Sequence, residues 1–165
     1  MTWKRSPCSI FAAALFTGLA AANVALAAGV APEPAGQDAI ASGLTDNGMV
    51  EARVVEASRK DGILSIKVRF VPLVKDASYS ETIYDDLSEL QRDLYVLVGG
   101  QKYLLLQDSQ GKPLASPTLE IEIEEGHPYA GYWYGRFHAP PPEVKQVSLT
   151  LPGVEPIEPI AITNG

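Results

Sequence analysis

Several short segments of this chain alternate apolar and polar side chains at every second position. The pattern is clearest in residues 63–70 and 119–124, whose apolar members are Leu64, Ile66, Val68 and Phe70 in the first segment and Leu119, Ile121 and Ile123 in the second. A period of two places alternate side chains on opposite faces of a β-strand, so one face is buried and the other meets water. The chain is therefore constrained to fold as sheets that cover a common core.

Turn residues separate these segments. The run Arg59-Lys60-Asp61-Gly62 predicts a hairpin between residues 49–55 and 64–70. Gly99-Gly100 predicts a second hairpin, in which Val96 lies opposite Tyr103 and Tyr95 opposite Leu104. Further strands are predicted over residues 119–124, 129–138, 144–151 and 157–162. Seven or eight short strands without an internal repeat predict an all-β, antiparallel β-sandwich.

Two segments leave alternatives open. Ile83, Leu87, Leu90 and Leu94 recur at helical spacing behind a capping-box pattern, which predicts one short helix near 80–91, with an irregular loop as the alternative. The hairpin over 93–107 is apolar on both faces. It is therefore either an internal cover of the core or an apolar surface for a partner.

The first 27 residues have the features of a cleaved signal peptide. Lys4 and Arg5 precede an uncharged apolar run over 10–22, and Ala25-Leu26-Ala27 supplies the small residues of a cleavage site. The run is too short to span a bilayer, so no transmembrane segment is expected after cleavage; an uncleaved anchor is the alternative. We expect an exported protein, in the periplasm or else extracellular. Residues 28–45 are predicted to be a flexible arm rich in Pro, Gly and Ala, and residues 46–165 the β-sandwich domain.

Charge and residue counts exclude several functions. The chain has 13 basic and 20 acidic residues, and removal of residues 1–27 leaves 11 basic against the same 20 acidic residues. Such an acidic balance argues against binding nucleic acid. Removal also takes Cys8, the single cysteine, and leaves the two histidines without a zinc-ligand pattern. We predict no cofactor and no metal.

Four segments carry a resemblance to known proteins: Gln101 to Gly111, Gly135 to Pro141, Val147 to Pro152, and Pro156-Ile157. Together they resemble small exported bacterial immunoglobulin-like β-sandwich domains of largely unassigned function, over about residues 47–163. In some exported bacterial proteins a similar module stands beside an envelope-anchoring or peptidoglycan-binding domain. The resemblance implies an immunoglobulin-like sandwich in the cell envelope or outside it, and it carries no catalytic residue.

The segment 129–138 contains the candidate binding residues. Alternation predicts that Tyr129, Gly131, Trp133, Gly135 and Phe137 face the core and that Tyr132, Tyr134, Arg136 and His138 face outward. Tyrosines beside a cation suit recognition, because their rings bring contact area at low entropic cost and keep a polar tip. A face covered by the N-terminal arm is the alternative. The loops around Gly111 and Pro140 are further candidate contacts.

The predicted function is a non-enzymatic interaction module of the bacterial cell envelope, whose partner is an envelope protein or cell-surface component. One alternative is a periplasmic protein that binds a small molecule or divalent metal through residues 120–127, where four glutamates precede His127. Carboxylates on one strand are about 6.5–7 Å apart at i and i+2, so a solvated acidic strand is the simpler interpretation. A hydrolase with a composite site ranks last, since the chain has no nucleophile motif.

Overall fold

The structure is a computed structural model that describes residues 39–74, 77–88, 90 and 92–165. This part of the chain contains eleven strands and no helix. The strands are β1 (Ala41–Leu44), β2 (Val50–Lys60), β3 (Ile63–Pro72), β4 (Tyr79–Tyr84), β5 (Tyr95–Val98), β6 (Gln101–Leu104), β7 (Leu119–Ile123), β8 (Gly131–His138), β9 (Gln146–Thr150), β10 (Ile157–Ala161) and β11 (Thr163–Asn164). The all-β fold is thereby confirmed, with more strands than the seven or eight predicted.

The first sheet has the order β1-β2-β3-β8. β11 pairs in parallel with the C-terminal end of β2, at Ser58 and Arg59. β2 and β3 form the predicted hairpin, which turns at Asp61 and Gly62 with φ angles of 50° and 76°. β3 and β8 pair without interruption from Ile63 opposite His138 to Phe70 opposite Gly131. This pairing places β8 at the end of the strand order of the first sheet, beside β3.

The second sheet has the order β10-β9-β5-β6. The φ angles of Gly99 and Gly100, 54° and 86°, are those of a type I′ turn, and the predicted register of Val96 opposite Tyr103 is confirmed. β4 and β7 form a third, two-stranded sheet. It continues toward β8 through a 2.8 Å hydrogen bond from the Glu122 amide to the Ala130 carbonyl.

A single apolar core lies between the sheets. Its largest fully buried side chains are Trp133, Phe70, Phe137, Leu64, Ile66, Leu94, Leu119, Ile121, Ile123, Leu149, Leu151 and Ile157. The hairpin of β5 and β6 serves mainly as an internal cover, because Val96 is fully buried, whereas Leu104 on its other face is 44% exposed. Burial of these side chains is the main stabilising contribution to such a domain.

The helix predicted near 80–91 is wrong for the described residues. Tyr79–Tyr84 forms β4 instead, because β7 supplies backbone partners along its length. Among the described residues that follow, the amides of Leu90 and Asp93 donate to the carbonyls of Leu87 and Leu90, which are turn contacts three residues apart. Turns that close every three residues bring Leu87 and Leu94 into the core at a spacing close to that of a helix.

The N-terminal boundary of the domain differs from the expected one. Residues 41–44, assigned to the flexible arm, form β1 and pair with residues 51–54 of β2. A Cβ at Gly43 would lie 2.9 Å from the Glu155 carbonyl oxygen, so the absence of a side chain permits this close approach. The predicted signal peptide and residues 28–38 of the predicted arm lie outside the described residues. Within the described part, no helix is long and apolar enough to cross a membrane.

Candidate functional site

The outward residues of β8 lie on the open surface of the first sheet. Tyr132 and Tyr134 are 62% and 50% exposed, whereas Trp133 between them is 2% exposed. Arg136 and His138 are also exposed, and Phe137 is buried. The four candidate residues therefore face outward, as the alternation predicts.

Contacts in the core hold β8 in this orientation. The Trp133 indole lies over Gly135, where a Cβ would be 2.4 Å from the ring. Its Nε1 donates a 2.9 Å hydrogen bond to the Tyr84 hydroxyl, which donates to the Ser116 carbonyl at 2.8 Å. Burial raises the pKa of Tyr84 to about 12, so this hydroxyl stays protonated at neutral pH. The inner side of the strand is thus fixed by packing and by satisfied polar groups.

β3 places basic side chains beside the tyrosines. Arg69 is the cross-strand neighbour of Tyr132, and Lys67 is that of Tyr134. We call the outward surface formed by Ser65, Lys67 and Arg69 of β3 with Tyr132, Tyr134, Arg136 and His138 of β8 the β3–β8 face. Alternation at 63–70 predicts a strand with one face in water, but it does not single out Lys67 and Arg69, because it identifies a face and not the neighbouring strand.

Arg69 is held among aromatic rings. Its guanidinium carbon lies 4.5 Å from the ring centroid of Tyr129 and 6.0 Å from that of Tyr132, within the range of a cation–π interaction. One Nη also donates to the Tyr129 hydroxyl at 3.2 Å, and the two tyrosine rings meet edge to face at 5.6 Å. The prediction that Tyr129 faces the core is wrong. Tyr129 precedes β8, so the alternation of that strand does not extend to it. Its ring instead lies beside Arg69 at the β3–β8 face.

The two carboxylates nearest this face are already paired. Glu56 lies 2.7 Å from the Lys67 ammonium, which lowers the pKa of Glu56. Glu51 lies 2.7 Å from Arg53, and hydrogen bonds from Ser42 and Arg53 lower the pKa of Glu51. Within the described chain, neither Arg69 nor Arg136 has a carboxylate within salt-bridge distance. The uncompensated charge on this face is therefore positive.

The tyrosines also border a cleft of about 440 Å³. Lys67, Arg69, Tyr132 and Tyr134 line it, together with Val55, Glu56, Val68, Ser116 and Trp133. The Ser116 hydroxyl accepts a hydrogen bond from the Tyr134 amide at 3.1 Å, which fixes one wall. The volume of the cleft falls within the range of pockets that bind small ligands. The cleft offers aromatic walls and a cationic lining.

His138 and the Pro140 loop lie apart from this cleft. His138, at the end of β8, lines a separate groove with β6 residues. Arg59 donates to the carbonyls of Pro140, Pro141, Pro142 and Val144 and to the Asn164 side chain, so the Pro140 loop is held internally. The Gly111 loop is nearer: Asp108 and Lys112, on either side of Gly111, border a cleft with Tyr134 and Arg136.

The acidic strand is arranged as a solvated surface. Glu120 and Glu122 project from β7 into solvent, and Glu124 pairs with His127 at 2.9 Å. Among the described residues, no three His, Cys, Asp or Glu side chains are grouped so that they could hold a metal ion.

Comparison with known proteins adds no relative from which a role could be inferred. No protein-family model, no curated protein and no solved structure matches this chain. On the β3–β8 face two exposed phenols lie beside a guanidinium that is held by an aromatic ring.

Proposed function

We propose that this protein is an exported, non-enzymatic immunoglobulin-like domain that serves as an interaction module of the bacterial cell envelope. It binds an envelope protein or a cell-surface component through the β3–β8 face. The proposal is carried by one observation, the adjacent exposure of Tyr132 and Tyr134 beside Arg69. The antiparallel sheets around one core support the domain type, and the N-terminal sequence supports export.

Two half-exposed tyrosines at neighbouring outward positions of one strand differ from ordinary surface apolar groups. Single exposed apolar residues are common and need no explanation. Leu104, for example, is 44% exposed at the edge strand β6, on the other sheet. Tyr132 and Tyr134 instead form a continuous aromatic surface next to a guanidinium, the composition that is enriched where proteins meet.

The test is cross-linking of the predicted mature protein, residues 28–165, in cells, followed by mass spectrometry. We expect one dominant envelope partner, with cross-linked peptides that contain residues 65–69 or 131–138. The double variant Tyr132→Ala with Tyr134→Ser should lose most of this product while its melting temperature changes by only a few degrees. The matched control is Leu104→Ser, which removes an exposed apolar side chain from the other sheet and should leave capture unchanged.

Two outcomes would contradict the proposal. If the tyrosine variant unfolds, its rings stabilise the domain and do not serve recognition. If the tyrosine variant captures the partner as well as the parent chain does, and residues 28–38 cross-link to residues 131–138 of the same chain, that face is a covering site for the arm. An equal loss of product in Leu104→Ser would likewise show that capture does not depend on the tyrosines.

A further inference from the structure

We infer that the partner presents carboxylates to the β3–β8 face, as an extended acidic segment of a protein, and that Arg69 is the cation that receives them. This inference rests on the proposed function and specifies the chemistry of the partner. It follows from three separate observations, which concern the geometry of Arg69, the distribution of charge on the face and the repeat distance along its strands.

The Arg69 guanidinium is fixed in place but has unused donors. Of its five N–H groups, one donates to the Tyr129 hydroxyl at 3.2 Å. The Arg69 Nε is buried and has no hydrogen-bond partner in the described chain, so an external carboxylate would be received by the Nη groups. The stacked Tyr129 ring restricts the side chain, so little conformational entropy remains to be lost on binding. A rigid guanidinium with unsatisfied donors is suited to bidentate binding of a carboxylate.

Charge on the outer surface of β2, β3 and β8 is opposite in sign to that of the whole chain. The chain has a formal charge of −7. On this surface, the outward positions carry five cations and two carboxylates; the cations are Arg53, Lys60, Lys67, Arg69 and Arg136, and the carboxylates are Glu51 and Glu56. Because Lys67 and Arg53 already pair with the two carboxylates, Arg69 and Arg136 remain for an external anion.

The spacing of the face favours an extended peptide as the source of the carboxylates. The two cations without a carboxylate partner in the described chain, Arg69 and Arg136, are four positions apart along the paired strands, because Arg69 lies opposite Tyr132 and Arg136 follows four residues later on β8. At about 3.3 Å per residue this is about 13 Å, which is also the distance between side chains i and i+4 of an extended peptide. A partner segment with acidic residues at every second position contains such pairs of carboxylates and therefore matches both cations.

The experiment is an NMR titration of the ¹⁵N-labelled chain with a six-residue peptide of alternating glutamate and threonine, blocked at both ends. We expect shifts of the Arg69 Nε–H and the Tyr132 amide that weaken as salt is raised. Replacing the glutamates of the peptide by glutamine should abolish them. Arg69→Gln should weaken binding by about tenfold, the factor that corresponds to loss of a charged hydrogen bond, and Arg69→Lys should restore only part of it.

Arg53→Gln is the matched control, because it removes the same charge from the same surface where Glu51 already occupies the guanidinium. An equal loss in Arg53→Gln and Arg69→Gln would overturn the role of Arg69 in favour of the general potential of the face. If Arg69→Gln fails to fold, Arg136→Gln tests the same inference and should weaken binding severalfold, because Arg136 is exposed and forms no ion pair with any described residue.

The remaining outcomes separate this inference from the proposed function. If the acidic peptide causes no shifts while the tyrosine-dependent cross-link persists, the carboxylate inference is wrong and the interaction module stands. If the cross-link is also absent, both fail. If an oligomer of galacturonic acid binds more tightly than the peptide and depends equally on Arg69, the anion belongs to a glycan, and the acidic protein segment is excluded.

Discussion

The Nε1 of Trp133 donates to the hydroxyl of Tyr84 over 2.9 Å, and this bond joins β8 to the end of β4 inside the core. The same hydroxyl donates to the Ser116 carbonyl at 2.8 Å, so three segments meet at one phenolic oxygen. Trp133 lies between Tyr132 and Tyr134 in sequence and faces the opposite way. The buried bond therefore anchors the strand that presents the two exposed tyrosines.

Removal of the Tyr84 hydroxyl should destabilise the domain. Tyr84→Phe keeps the ring but leaves the Trp133 Nε1 and the Ser116 carbonyl without their partner, in a place where Tyr84 is only 5% exposed. Unsatisfied buried polar groups cost about 1–3 kcal/mol. We expect the free energy of unfolding to fall by that amount in urea denaturation followed by Trp fluorescence.

Tyr132→Phe provides the comparison for that measurement. It removes a phenolic hydroxyl from a ring that is 62% exposed, so the hydroxyl can bond to water in both states. Its free energy of unfolding should change by less than about 0.5 kcal/mol. Equal effects of the two variants would show that the bond between Trp133 and Tyr84 contributes no net stability.

Alkaline pH should destabilise the domain through the same group. Burial raises the pKa of Tyr84 from its ordinary value of 10.0 to about 12. Because the folded pKa is the higher one, the stabilising contribution is complete below pH 10 and is lost as pH rises through 12. Urea denaturation at intervals between pH 9 and pH 12 measures this loss.

Tyr84→Phe isolates the contribution of this hydroxyl from those of the other groups that titrate above pH 9. Other tyrosines and lysines ionise in both proteins, so the difference between the two curves reports Tyr84. We expect the difference in free energy of unfolding between the parent protein and Tyr84→Phe to decrease from pH 9 to pH 12. A constant difference from pH 9 to pH 12 would contradict the assignment.

Alternation of side chains was sufficient to predict the faces of β8. Tyr132 and Trp133 differ by one position, and a period of two places them on opposite sides of any strand that contains both. The sequence did not indicate that Arg69 lies beside Tyr132, because that pairing joins residues that are far apart in the chain. Pairing of distant strands depends on the tertiary fold, so the cationic half of the site was missed.

The role of Arg59 was also hidden, in this case by a local irregularity. The register of β2 shifts between Val54 and Glu56, so one extra residue is accommodated there. Before the shift, even-numbered residues such as Val54 face the core. After it, the odd-numbered residues Ala57 and Arg59 are the buried ones. Simple alternation would have placed Arg59 in solvent, as part of the predicted turn.

Loss of the Arg59 guanidinium should loosen the C-terminal part of the domain. Arg59 is 8% exposed and binds four backbone carbonyls between Pro140 and Val144 as well as the Asn164 side chain. Arg59→Met retains the apolar stem but leaves these acceptors without a donor. We expect a loss of about 3 kcal/mol or more, measured by thermal or urea denaturation, and faster amide exchange at Ile162 and Gly165.

Two other variants serve as comparisons for the stability of Arg59→Met. Arg59→Lys should recover only part of the stability, because a single ammonium cannot reach carbonyls on several sides as a planar guanidinium does. Arg53→Met changes an outward arginine of the same strand and should cost less than about 1 kcal/mol, since its ion pair with Glu51 is solvent-exposed. If Arg53→Met and Arg59→Met were equally destabilising, the carbonyl contacts of Arg59 would have no special role.

Gly135→Ala should disturb the outer face from within the core. The added Cβ would lie 2.4 Å from Cη2 of Trp133, and that ring is enclosed by the core and held by Tyr84, so it cannot move without breaking its hydrogen bond. We expect a loss of at least about 2 kcal/mol and a reduced near-ultraviolet circular dichroism signal from Trp133. Arg136→Ala, at the next position and pointing to solvent, should change neither quantity. An unchanged signal in Gly135→Ala would mean that the indole does not need the space above this glycine, and that Tyr132 and Tyr134 are positioned by strand pairing alone.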